Sequence, residues 1–275
     1  MPSEFGAQLP ALAAVLAIAD EACALVLSML KHPLKHRQKS DDSPVTVIDE
    51  AVDALLTTRL RALFPPAAWL SEETKDNAER LSAAWLWVVD PIDGTKSLLA
   101  GEPEFCVSIA LVRSGVGPLL AVVANPMTAE RFVAEKGHGA RDETDSPLHV
   151  RPTFDRNAMI FLASRTDLGQ GQWATVWPPA ALRPMGSLAY KMALVAAGKA
   201  DGHATLGPRS EWDAAAGALL IAEAGGQVAD IAGDPLRFNQ PVPLFNGLVV
   251  ASATAFSAVM AAAVAQKQLQ RHRSQ

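Results

Sequence analysis

The feature that most restricts how this chain can fold is an apolar run at residues 84–89, Ala-Trp-Leu-Trp-Val-Val, which leads directly into Asp90-Pro91-Ile92-Asp93-Gly94-Thr95. Six apolar residues in a row, without polar alternation, are typical of a strand that is covered on both of its faces. In layered proteins of this kind, ligands collect where such strands end. The sequence therefore predicts a sheet packed on both sides, with two carboxylates at the end of one buried strand.

Other strand and helix signals alternate along the chain. Strands are predicted at Cys106–Arg113, 119–124, Arg131–Glu135, 159–164, 200–206 and 247–251, and helices at 9–30, 46–63, 187–197, 213–224 and 253–268. Thr46 is a candidate N-cap of the second helix, and residues 31–47 are predicted to be mostly loop. This alternation favours a layered α/β or α+β architecture.

Composition and charge exclude several classes of protein. Of the 275 residues, 49% are hydrophobic and 19% are charged, which is enough apolar material for a core and argues against disorder. The net charge of -5 offers no basic face to a nucleic acid polymer. Cys23 and Cys106 are too sparse for a disulfide scaffold and fit a reducing compartment. Asp20 and Glu21 interrupt the apolar residues 9–30, so we expect a buried or amphipathic helix, no stable membrane insertion and a cytoplasmic protein.

The acidic segment after the apolar run has the properties of a magnesium and phosphate site. Asp93 comes three residues after Asp90, so a tight turn can aim both carboxylates at one point, with the Ile92 carbonyl oxygen between them. These hard oxygen ligands suit Mg²⁺. Gly94 permits the close approach of a phosphate, and Thr95 can begin a helix whose free N–H groups favour an anion. The same residues would also fit a plain Asp-Pro turn with an N-capping aspartate.

Three further acidic positions lie at the ends of predicted elements. Ser71-Glu72-Glu73 follows a predicted strand, Asp213 opens a predicted helix, and Asp49 lies in the first turn of another. Each has a simpler interpretation, because paired glutamates are common in solvated loops and aspartates are common near helix N-termini. Together, however, they supply the acidic side chains that a metal cluster needs.

Two long motifs and one short one resemble those of the inositol monophosphatase superfamily of Mg²⁺-dependent, lithium-sensitive phosphatases. The segment from Asp90 to Thr95 is similar to its D-P-[IL]-D-G-T motif, and residues 212–217 with 223–226 are similar to its W-D-x-A-A-G … E-A-G-G motif. Ser71-Glu72-Glu73 resembles its paired acidic element. The resemblance spans roughly residues 9–251. It implies an α+β fold, a layered αβαβα sandwich, with an N-terminal half at 1–147 and a C-terminal half at 148–275.

The resemblance also implies roles for individual residues. Two or three Mg²⁺ ions would be bound by Glu72, Asp90, the Ile92 carbonyl, Asp93 and Asp213, with Glu73 in support. Asp49 and Thr95 would polarise the attacking water, with Glu72 as a further catalytic group. We expect substrate contacts from Ile92, Asp93, Gly94, Thr95, Lys96, Ser187, Lys191, Arg209, Glu211 and Asp213. Hydrolysis by metal-activated water needs no covalent phosphoenzyme.

Within the superfamily, the chain resembles the bacterial 3′(2′),5′-bisphosphate nucleotidase branch. Residues 39–46 are similar to its K-x-D-D-S-P-V-T segment, and Lys96 directly follows Asp-Gly-Thr as it does in that branch. Residues 97–101 depart from the usual continuation of this motif. The departure leaves the Asp-Gly-Thr core intact and bears only on the choice of substrate.

The residues before the second motif offer a chemical argument for a substrate with two phosphates. Arg209 suits a second phosphate because a guanidinium binds oxyanions in a bidentate manner, and Lys191 can do similar work. The alternative is that both are solvated surface charges. Glu211 leaves a second alternative, in which this region binds the hydroxyl groups of a sugar. Tyr190 and Trp173 are candidates for stacking on adenine, although a single aromatic residue is more often part of the core.

Three functions follow from these patterns. The leading hypothesis is hydrolysis of a small phosphate ester, 3′-phosphoadenosine 5′-phosphate, to AMP and phosphate. An alternative in the same class is inositol-1-phosphate or another sugar phosphate as the substrate. An alternative in another class is a non-catalytic metal or nucleotide sensor, which the intact acidic set disfavours. Relatives in the superfamily commonly form homodimers, so a homodimer is compatible with the resemblance. No residues of this sequence indicate where its interface would lie.

Overall fold

The computed structural model describes the backbone of residues 9–39 and 43–273, and their side chains except those of residues 179 and 271–273. Within them the helices are α1 (Leu12–Met29), α2 (Val47–Leu63), α3 (Thr95–Ala100), α4 (Arg165–Gly169), α5 (Leu188–Ala196), α6 (Glu211–Glu223) and α7 (Phe256–Arg273), with 3₁₀ turns at Ala78–Ser82 and Pro179–Ala181. The first eight strands are β1 (His36–Gln38), β2 (Pro44–Thr46), β3 (Ala67–Ser71), β4 (Trp85–Asp93), β5 (Cys106–Arg113), β6 (Gly117–Ala124), β7 (Arg131–Glu135) and β8 (Gly139–Asp142). The later strands are β9 (Phe161–Ser164), β10 (Leu182–Met185), β11 (Gly202–Thr205), β12 (Arg209–Ser210), β13 (Gly226–Asp230), β14 (Leu244–Phe245) and β15 (Leu248–Ser252). Residues 40–42, part of the segment that resembles K-x-D-D-S-P-V-T, lie outside the described residues.

The larger sheet has six strands in the order β3-β4-β5-β6-β7-β8, antiparallel except for the parallel pair β3 and β4. Every residue of β4 is buried, as the apolar run predicts. Its side chains alternate between two cores. Trp87 and Val89 pack in the cluster that includes α1 and α2, whereas Leu86 and Val88 pack in the cluster of α5 and α6. This alternation is the consequence of a pleated strand that is covered on both faces.

The smaller sheet has five strands in the order β10-β9-β11-β15-β13. Helices α5 and α6 lie between the two sheets, since they contact β4, β5 and β6 on one side and strands of the smaller sheet on the other. Helix α7 covers the remaining face of the smaller sheet, and α1 and α2 cover the outer face of the larger one. The layers follow the order αβαβα, which confirms the expected α+β sandwich. The division of the chain near residue 147 stays a prediction.

Helix α1 illustrates how a core helix can resemble a membrane-spanning one. Its length and composition alone would allow it to cross a bilayer. In this fold, however, Ala19, Ala22 and Val26 are fully buried, and the helix packs against α2 and β6. One face of α1 therefore belongs to the protein core, as the acidic residues within the predicted helix indicate.

Two local expectations near the predicted site are wrong. Residues 31–47 are not all loop, because β1 and β2 pair as a short antiparallel hairpin. Strands of three residues are too short to show a hydrophobic period. The segment from Asp90 to Asp93 is not a turn after the strand, because β4 continues through it and its pairing with β5 shifts register there. A bulge inside a strand, and not a turn, thus sets the direction of these carboxylates.

Candidate active site

Three aspartates converge at the carboxyl end of β4. One carboxylate oxygen from each of Asp90, Asp93 and Asp213 lies within 4.8 Å of the other two. The bulge of β4 supplies the first two, and Asp213 comes from the first turn of α6, which packs across β4. The Ile92 amide donates to Asp90 Oδ1 at 3.0 Å and so orients that carboxylate. The structure thus brings together acidic residues that are far apart in the sequence.

The negative charges of this cluster repel one another. Burial raises the pKa of Asp90 well above its usual range, and the nearby Glu72 and Asp93 charges raise it further. Burial likewise raises the pKa of Asp213, with Asp93 and Glu72 adding to the effect. Such repulsion favours a bound cation, and converging carboxylate oxygens suit a hard ion such as Mg²⁺. The donor set therefore fits the magnesium that the resemblance implies.

The paired glutamates form a second acidic group beside the aspartates. Glu72 and Glu73 directly follow β3, and Glu72 lines the same cleft as the three aspartates. The Lys39 ammonium lies 2.8 Å from Glu72 Oε1 and 2.6 Å from Glu73 Oε1. Burial raises the pKa of Glu73 to about 7, although its hydrogen bond with Lys39 opposes the shift. Sequence reasoning placed Lys39 in the K-x-D-D-S-P-V-T segment but missed this role, because nothing in that segment indicates contact with glutamates 33 and 34 positions later.

The segment that carries the two glutamates is fastened to α2 by Asp53. Ser71 Oγ donates to Asp53 Oδ1 at 2.5 Å, and Thr74 Oγ1 donates to Asp53 Oδ2 at 2.7 Å. The two hydroxyl groups flank Glu72 and Glu73, so one carboxylate holds the segment from both sides. Sequence reasoning missed this contact as well. The available signal is the spacing of four residues from Asp49 to Asp53, which places both on one face of α2.

A buried aspartate–threonine pair adjoins the acidic cluster. Thr95 Oγ1 donates to Asp49 Oδ1 at 2.8 Å, and the other Asp49 oxygen accepts from the Thr46 amide at 2.9 Å. Thr46 caps α2, as predicted, and forms a capping box with Asp49. The Ile92 carbonyl oxygen lies 3.2 Å from Thr95 Oγ1, so the charged and nearer Asp49 is the stronger acceptor of its proton. With that proton donated to Asp49, the lone pairs of this hydroxyl can accept a hydrogen bond from a water in the cleft.

Gly94 and the start of α3 shape the backbone beside this pair. Gly94 has a φ of +105°, and a Cβ there would lie 2.9 Å from the Glu104 carbonyl oxygen. A side chain therefore does not fit at this position. Helix α3 begins at Thr95, as predicted, and the Ser97 and Leu98 amides donate to the Gly94 carbonyl. The N–H groups of Thr95 and Lys96, which precede them in this first turn, are available to an anion.

The start of α5 holds Asp93 directly. Ser187 Oγ donates to Asp93 Oδ2 at 2.7 Å, and the Ala189 amide donates to the same oxygen at 2.5 Å. Ser187 caps α5 at a φ of +50°, which residues other than glycine rarely adopt. Gly186 packs so closely that a Cβ there would lie 1.9 Å from Ser97 Oγ. The start of α5 is thus placed to bind the Asp93 carboxylate of the larger sheet.

These elements surround a cleft of about 400 Å³. Besides the acidic groups, four of the described cationic side chains line it, namely Lys96, Arg165, Lys191 and Arg209. Lys191 is only 4% exposed, and burial lowers its pKa to about 8, while the Asp93 charge opposes the shift. Lys191 is therefore not a solvated surface charge. Arg209 is partly exposed and shares the cleft with it.

Arg165 is a further cleft residue that sequence reasoning missed. It begins α4, directly after β9, and its guanidinium forms ion pairs with Glu104 and, at 3.5 Å, with Glu102. The signal that could have identified it is its position at the carboxyl end of a strand, where ligands collect in layered sheets.

Glu211, predicted to be a substrate contact, is not among the described residues that line the cleft. Glu211 is fully buried, and its two carboxylate oxygens accept the backbone amides of Asn239 and Gln240 at 2.7 and 2.8 Å. Arg80, itself buried, donates to Asn239 Oδ1 at 2.8 Å and extends this network to the larger sheet's half of the chain. Glu211 therefore joins the loop before β14 to the start of α6 through these two hydrogen bonds.

The two aromatic candidates for stacking on a base also lie away from the cleft. Tyr190 donates its hydroxyl to Glu130 and packs near Phe132. Trp173 is fully buried, with its ring centroid 5.0 Å from that of Phe161. Both rings belong to the core, so the stacking role considered for them is wrong.

Comparisons with known proteins agree with these motifs. A model of the inositol monophosphatase family matches residues 8–271. The chain is 33% identical over 217 residues to the 3′(2′),5′-bisphosphate nucleotidase CysQ of Salmonella typhimurium, which covers 78% of this chain and 87% of that protein. It is 36% identical over 205 residues to Nus factor SuhB of Escherichia coli, which covers 71% of this chain and 75% of that protein.

A solved structure supports the fold. An IMPase from Thermotoga maritima superposes with a TM-score of 0.81 at 24% identity, covering 92% of this chain and 96% of that one. The two sequence relatives carry different functional names, so they identify a family and leave the substrate open. The family model spans nearly the whole chain, including all the cleft residues described above. This protein therefore belongs to the inositol monophosphatase family.

Proposed function

We propose that the protein is a Mg²⁺-dependent phosphomonoesterase that hydrolyses 3′-phosphoadenosine 5′-phosphate to AMP and phosphate. The observation that carries the proposal is a single cleft with two kinds of charge. Asp90, Asp93 and Asp213 form an acidic group, and the cations Lys191 and Arg209 line the same cleft. The acidic group would hold a metal ion, whose positive charge would attract the scissile 3′-phosphate. A 5′-phosphate needs positive charge nearby, and the two cations supply it.

The chain's contribution to metal binding is the placement of carboxylates. Asp90, Asp93, Asp213 and Glu72, with the Ile92 carbonyl, would hold the Mg²⁺ ions, for which we propose a number of two or three. Bound Mg²⁺ would supply the positive charge that acidifies a water and neutralises phosphate oxygens. The bulge of β4 and the start of α5 hold Asp93 in place before any substrate arrives. Such preorganised charge is a large source of rate enhancement.

The remaining residues orient the reactants. Thr95, whose proton is engaged by Asp49, would accept a hydrogen bond from the attacking water and so fix its direction. The amides at the start of α3, after Gly94, would hold phosphate oxygens. Lys96 lies at the rim of the same cleft, where its charge attracts an anionic substrate.

The names of the relatives support this proposal without deciding it. CysQ of Salmonella typhimurium is named a bisphosphate nucleotidase, which agrees with two cations beside the acidic group. The rival substrate is inositol-1-phosphate or another sugar phosphate, because an IMPase is among the structural relatives. The buried position of Glu211 weakens the sequence argument for that rival, since this carboxylate was its candidate for binding sugar hydroxyls. A cytoplasmic location and a homodimer stay predictions.

The test is a steady-state comparison of substrates with Mg²⁺. We expect kcat/KM for 3′-phosphoadenosine 5′-phosphate to exceed that for adenosine 3′-monophosphate and inositol-1-phosphate by about tenfold or more, the value of one charged hydrogen bond. Arg209→Ala should lower kcat/KM for the bisphosphate by about tenfold and change the monophosphates little. Arg141→Ala, which removes an exposed arginine of β8, is the matched control and should change neither.

The outcomes separate the hypotheses. Equal losses on bisphosphate and monophosphate in Arg209→Ala would remove the argument for a second phosphate site. A preference for inositol-1-phosphate would assign the protein to the rival activity. Tight Mg²⁺ binding without release of phosphate from any of these esters would favour the non-catalytic sensor.

A further inference from the structure

We propose that Arg165 is a positioning residue of this cleft, which acts through its ion pair with Glu104 rather than by binding a substrate phosphate itself. The pair holds residue 104 against Gly94 and Gly186, the two glycines that shape the cleft backbone. The inference rests on the proposed function, because it assigns a further residue to the same site.

The ion pair joins two parts of the molecule that are 61 residues apart in the sequence. Arg165 begins α4 directly after β9 of the smaller sheet, and Glu104 lies two residues before β5 of the larger sheet. Both terminal nitrogens of the guanidinium donate to the carboxylate, Nη2 to Oε1 at 2.9 Å and Nη1 to Oε2. A bidentate pair of this kind fixes geometry as well as charge. The two sheets are therefore tied together beside the cleft, which Arg165 lines.

The charge of Arg165 is directed at carboxylates. Glu104 accepts from both terminal nitrogens, and a carboxylate oxygen of Glu102 lies 3.5 Å from one of them. Two negative charges beside one positive charge disfavour the approach of a phosphate at this point. This balance of charge favours a positioning role for Arg165 over direct binding of the substrate.

The backbone of Glu104 is in close contact with both glycines. A Cβ at Gly94 would lie 2.9 Å from the Glu104 carbonyl oxygen, and a Cβ at Gly186 would lie at the same distance from that oxygen. The same carbonyl group thus packs against two separate segments of the cleft wall. Because packing this close transmits small displacements, a shift of residue 104 would move both glycines.

Each glycine directly precedes a residue of the proposed chemistry. Gly94 precedes Thr95, whose hydroxyl would orient the attacking water. Gly186 precedes Ser187, whose hydroxyl donates to Asp93 at 2.7 Å. The position of residue 104 therefore bears on the water and on a proposed metal ligand together.

The loss of Arg165 should have a partial effect, because other contacts hold the same segment. The Glu102 amide donates to the Ser97 carbonyl at 2.9 Å, and the Asn125 side chain donates to the Pro103 carbonyl at 2.8 Å. These bonds hold the two residues before Glu104, whereas Arg165 binds Glu104 itself. We expect Arg165→Ala to lower kcat about tenfold, below the roughly 10²-fold that a misplacement of about 1 Å can cause.

The test is a double-mutant cycle of the full-length protein at saturating Mg²⁺, with whichever ester of the substrate panel it hydrolyses best. Glu104→Gln should lower kcat about as much as Arg165→Ala does, with KM changed less than about threefold. The double variant should be no slower than either single variant, because both changes break the same contact. Independent losses that multiply in the double variant would overturn the inference.

Glu104→Gln also separates positioning from direct binding of phosphate by Arg165. If Arg165 bound the substrate, removal of the Glu104 charge would release its guanidinium, so that KM would fall and kcat would not. That result overturns the inference. Arg59→Ala, which breaks an exposed ion pair with Glu21 between α1 and α2, is the matched control and should change neither constant.

Melting curves separate positioning from a contribution to stability alone. The kinetics are measured at 25 °C, and the thermal midpoint of each variant is recorded beside them. A lower midpoint in Arg165→Ala with an unchanged kcat would show that the pair only stabilises the fold, and would overturn the inference.

Failure of this inference is distinguishable from failure of the proposed function. Equal rates on adenosine 3′,5′-bisphosphate and adenosine 3′-monophosphate would overturn only the proposed function, since the cycle does not depend on which ester is used. If the original protein releases phosphate from none of the esters, calorimetric Mg²⁺ titration decides the inference. Arg165→Ala and Glu104→Gln should then each raise the Mg²⁺ dissociation constant about threefold or more, through Ser187 and Asp93. An unchanged constant in both variants would overturn it.

Discussion

The two acidic groups of the cleft are held in place by different means. Asp90 and Asp93 lie within β4, every residue of which is buried between two packing layers. Glu72 and Glu73 lie just beyond the end of β3, where the segment is held by the side chains of Lys39 and Asp53. Backbone pairing places the first group, and side-chain contacts place the second.

This difference has a consequence for metal binding. A carboxylate inside a paired strand keeps its position whether or not a cation is bound, because moving it would break the sheet. A carboxylate on a segment held by the side chains of Lys39 and Asp53 can shift at a smaller cost. We therefore expect the strand-borne aspartates to set whether the reaction occurs, and the two glutamates to set how much Mg²⁺ it requires.

The largest effect is expected for Asp93→Asn. The change removes a charge that faces Asp90 and Asp213 while the hydrogen bonds from Ser187 and Ala189 keep an acceptor. Turnover should fall by about 10²–10³-fold or more at saturating Mg²⁺, as for other losses of preorganised charge, with the thermal midpoint retained. Steady-state kinetics and a melting curve check this. Asp145→Asn, at an exposed loop, is the control. A kcat within tenfold of the original protein would contradict the division of roles.

Asp53→Asn tests the other side of the comparison. It weakens the hold of α2 on the segment that carries Glu72 and Glu73, without touching β4. The apparent Mg²⁺ dissociation constant should rise by about 10-fold or more, as is common when a residue that orients metal ligands is lost. At saturating Mg²⁺, kcat should stay close to its original value. Calorimetric Mg²⁺ titration and kinetics as a function of Mg²⁺ measure the two quantities.

Two variants of the same helix sharpen that test. Glu50→Gln, which removes an exposed carboxylate of α2, should leave Mg²⁺ affinity unchanged. Asp53→Glu keeps a carboxylate and should restore part of the affinity. The contrary result is that Asp53→Asn lowers kcat at saturating Mg²⁺ and leaves the Mg²⁺ dissociation constant unchanged. That result would show that the two glutamates are held as firmly as the aspartates.

A smaller effect is expected on the stability of the metal-free protein as pH changes. The pKa of Glu73 is about 7 in the folded protein, above its ordinary value of 4.5, because burial disfavours the charged form. Between these values the folded state binds more protons than the unfolded state, so stability decreases as pH rises from about 4.5 to about 7. Burial raises the pKa of Asp90 and Asp213 as well, which adds to the decrease in stability as pH rises.

The measurement is the thermal midpoint in a chelator at pH 5 and pH 8, repeated with Mg²⁺. The chelated protein should melt lower at pH 8, by about 2–4 °C for each kcal/mol lost. Excess Mg²⁺ at pH 8 should restore the midpoint, since bound cations replace the protons. Burial lowers the pKa of His203, which makes stability rise with pH and so opposes the acidic groups. A midpoint that rises with pH in the chelator would show that the raised pKa values of the acidic groups do not outweigh this effect.

The smallest effect on the reaction is expected for Glu211→Gln. Its carboxylate binds two backbone amides and lies outside the cleft, so its loss should reduce stability, by about 1–3 kcal/mol. The ratio of kcat/KM between bisphosphate and inositol-1-phosphate should not change. Urea unfolding and the substrate panel check both points. A change of tenfold in that ratio would return Glu211 to the substrate site.

The sequence predicts some features of this protein well for identifiable physical reasons. The apolar run before Asp90 marks a buried strand, because only a doubly covered strand tolerates it, and Thr46 marks a helix start because its hydroxyl caps α2. The fold class follows from the alternation of such signals and from the family motifs. The roles of the site residues stay proposals, which the variants above are designed to test.

Other features depend on tertiary contacts that no local pattern encodes. The bulge between Asp90 and Asp93 arises from pairing with β5, and the contact between Lys39 and the glutamates joins residues 33 and 34 positions apart. Glu211 has the appearance of a site residue in the sequence because it precedes Asp213. Only the packing of the 239–240 segment shows that its carboxylate turns inward.

The hydrogen bonds to Asp93 limit how far the two sheets of this protein can move apart. Asp93 belongs to the larger sheet, yet Ser187 and Ala189 of the central helical layer donate to it, and Asp213 of that layer meets it across the cleft. A hinge motion that separated the two sheets would break these contacts and disrupt the metal site. We therefore expect substrate to enter and product to leave along the cleft, whose lining includes Pro44 of β2, while the two layers remain docked.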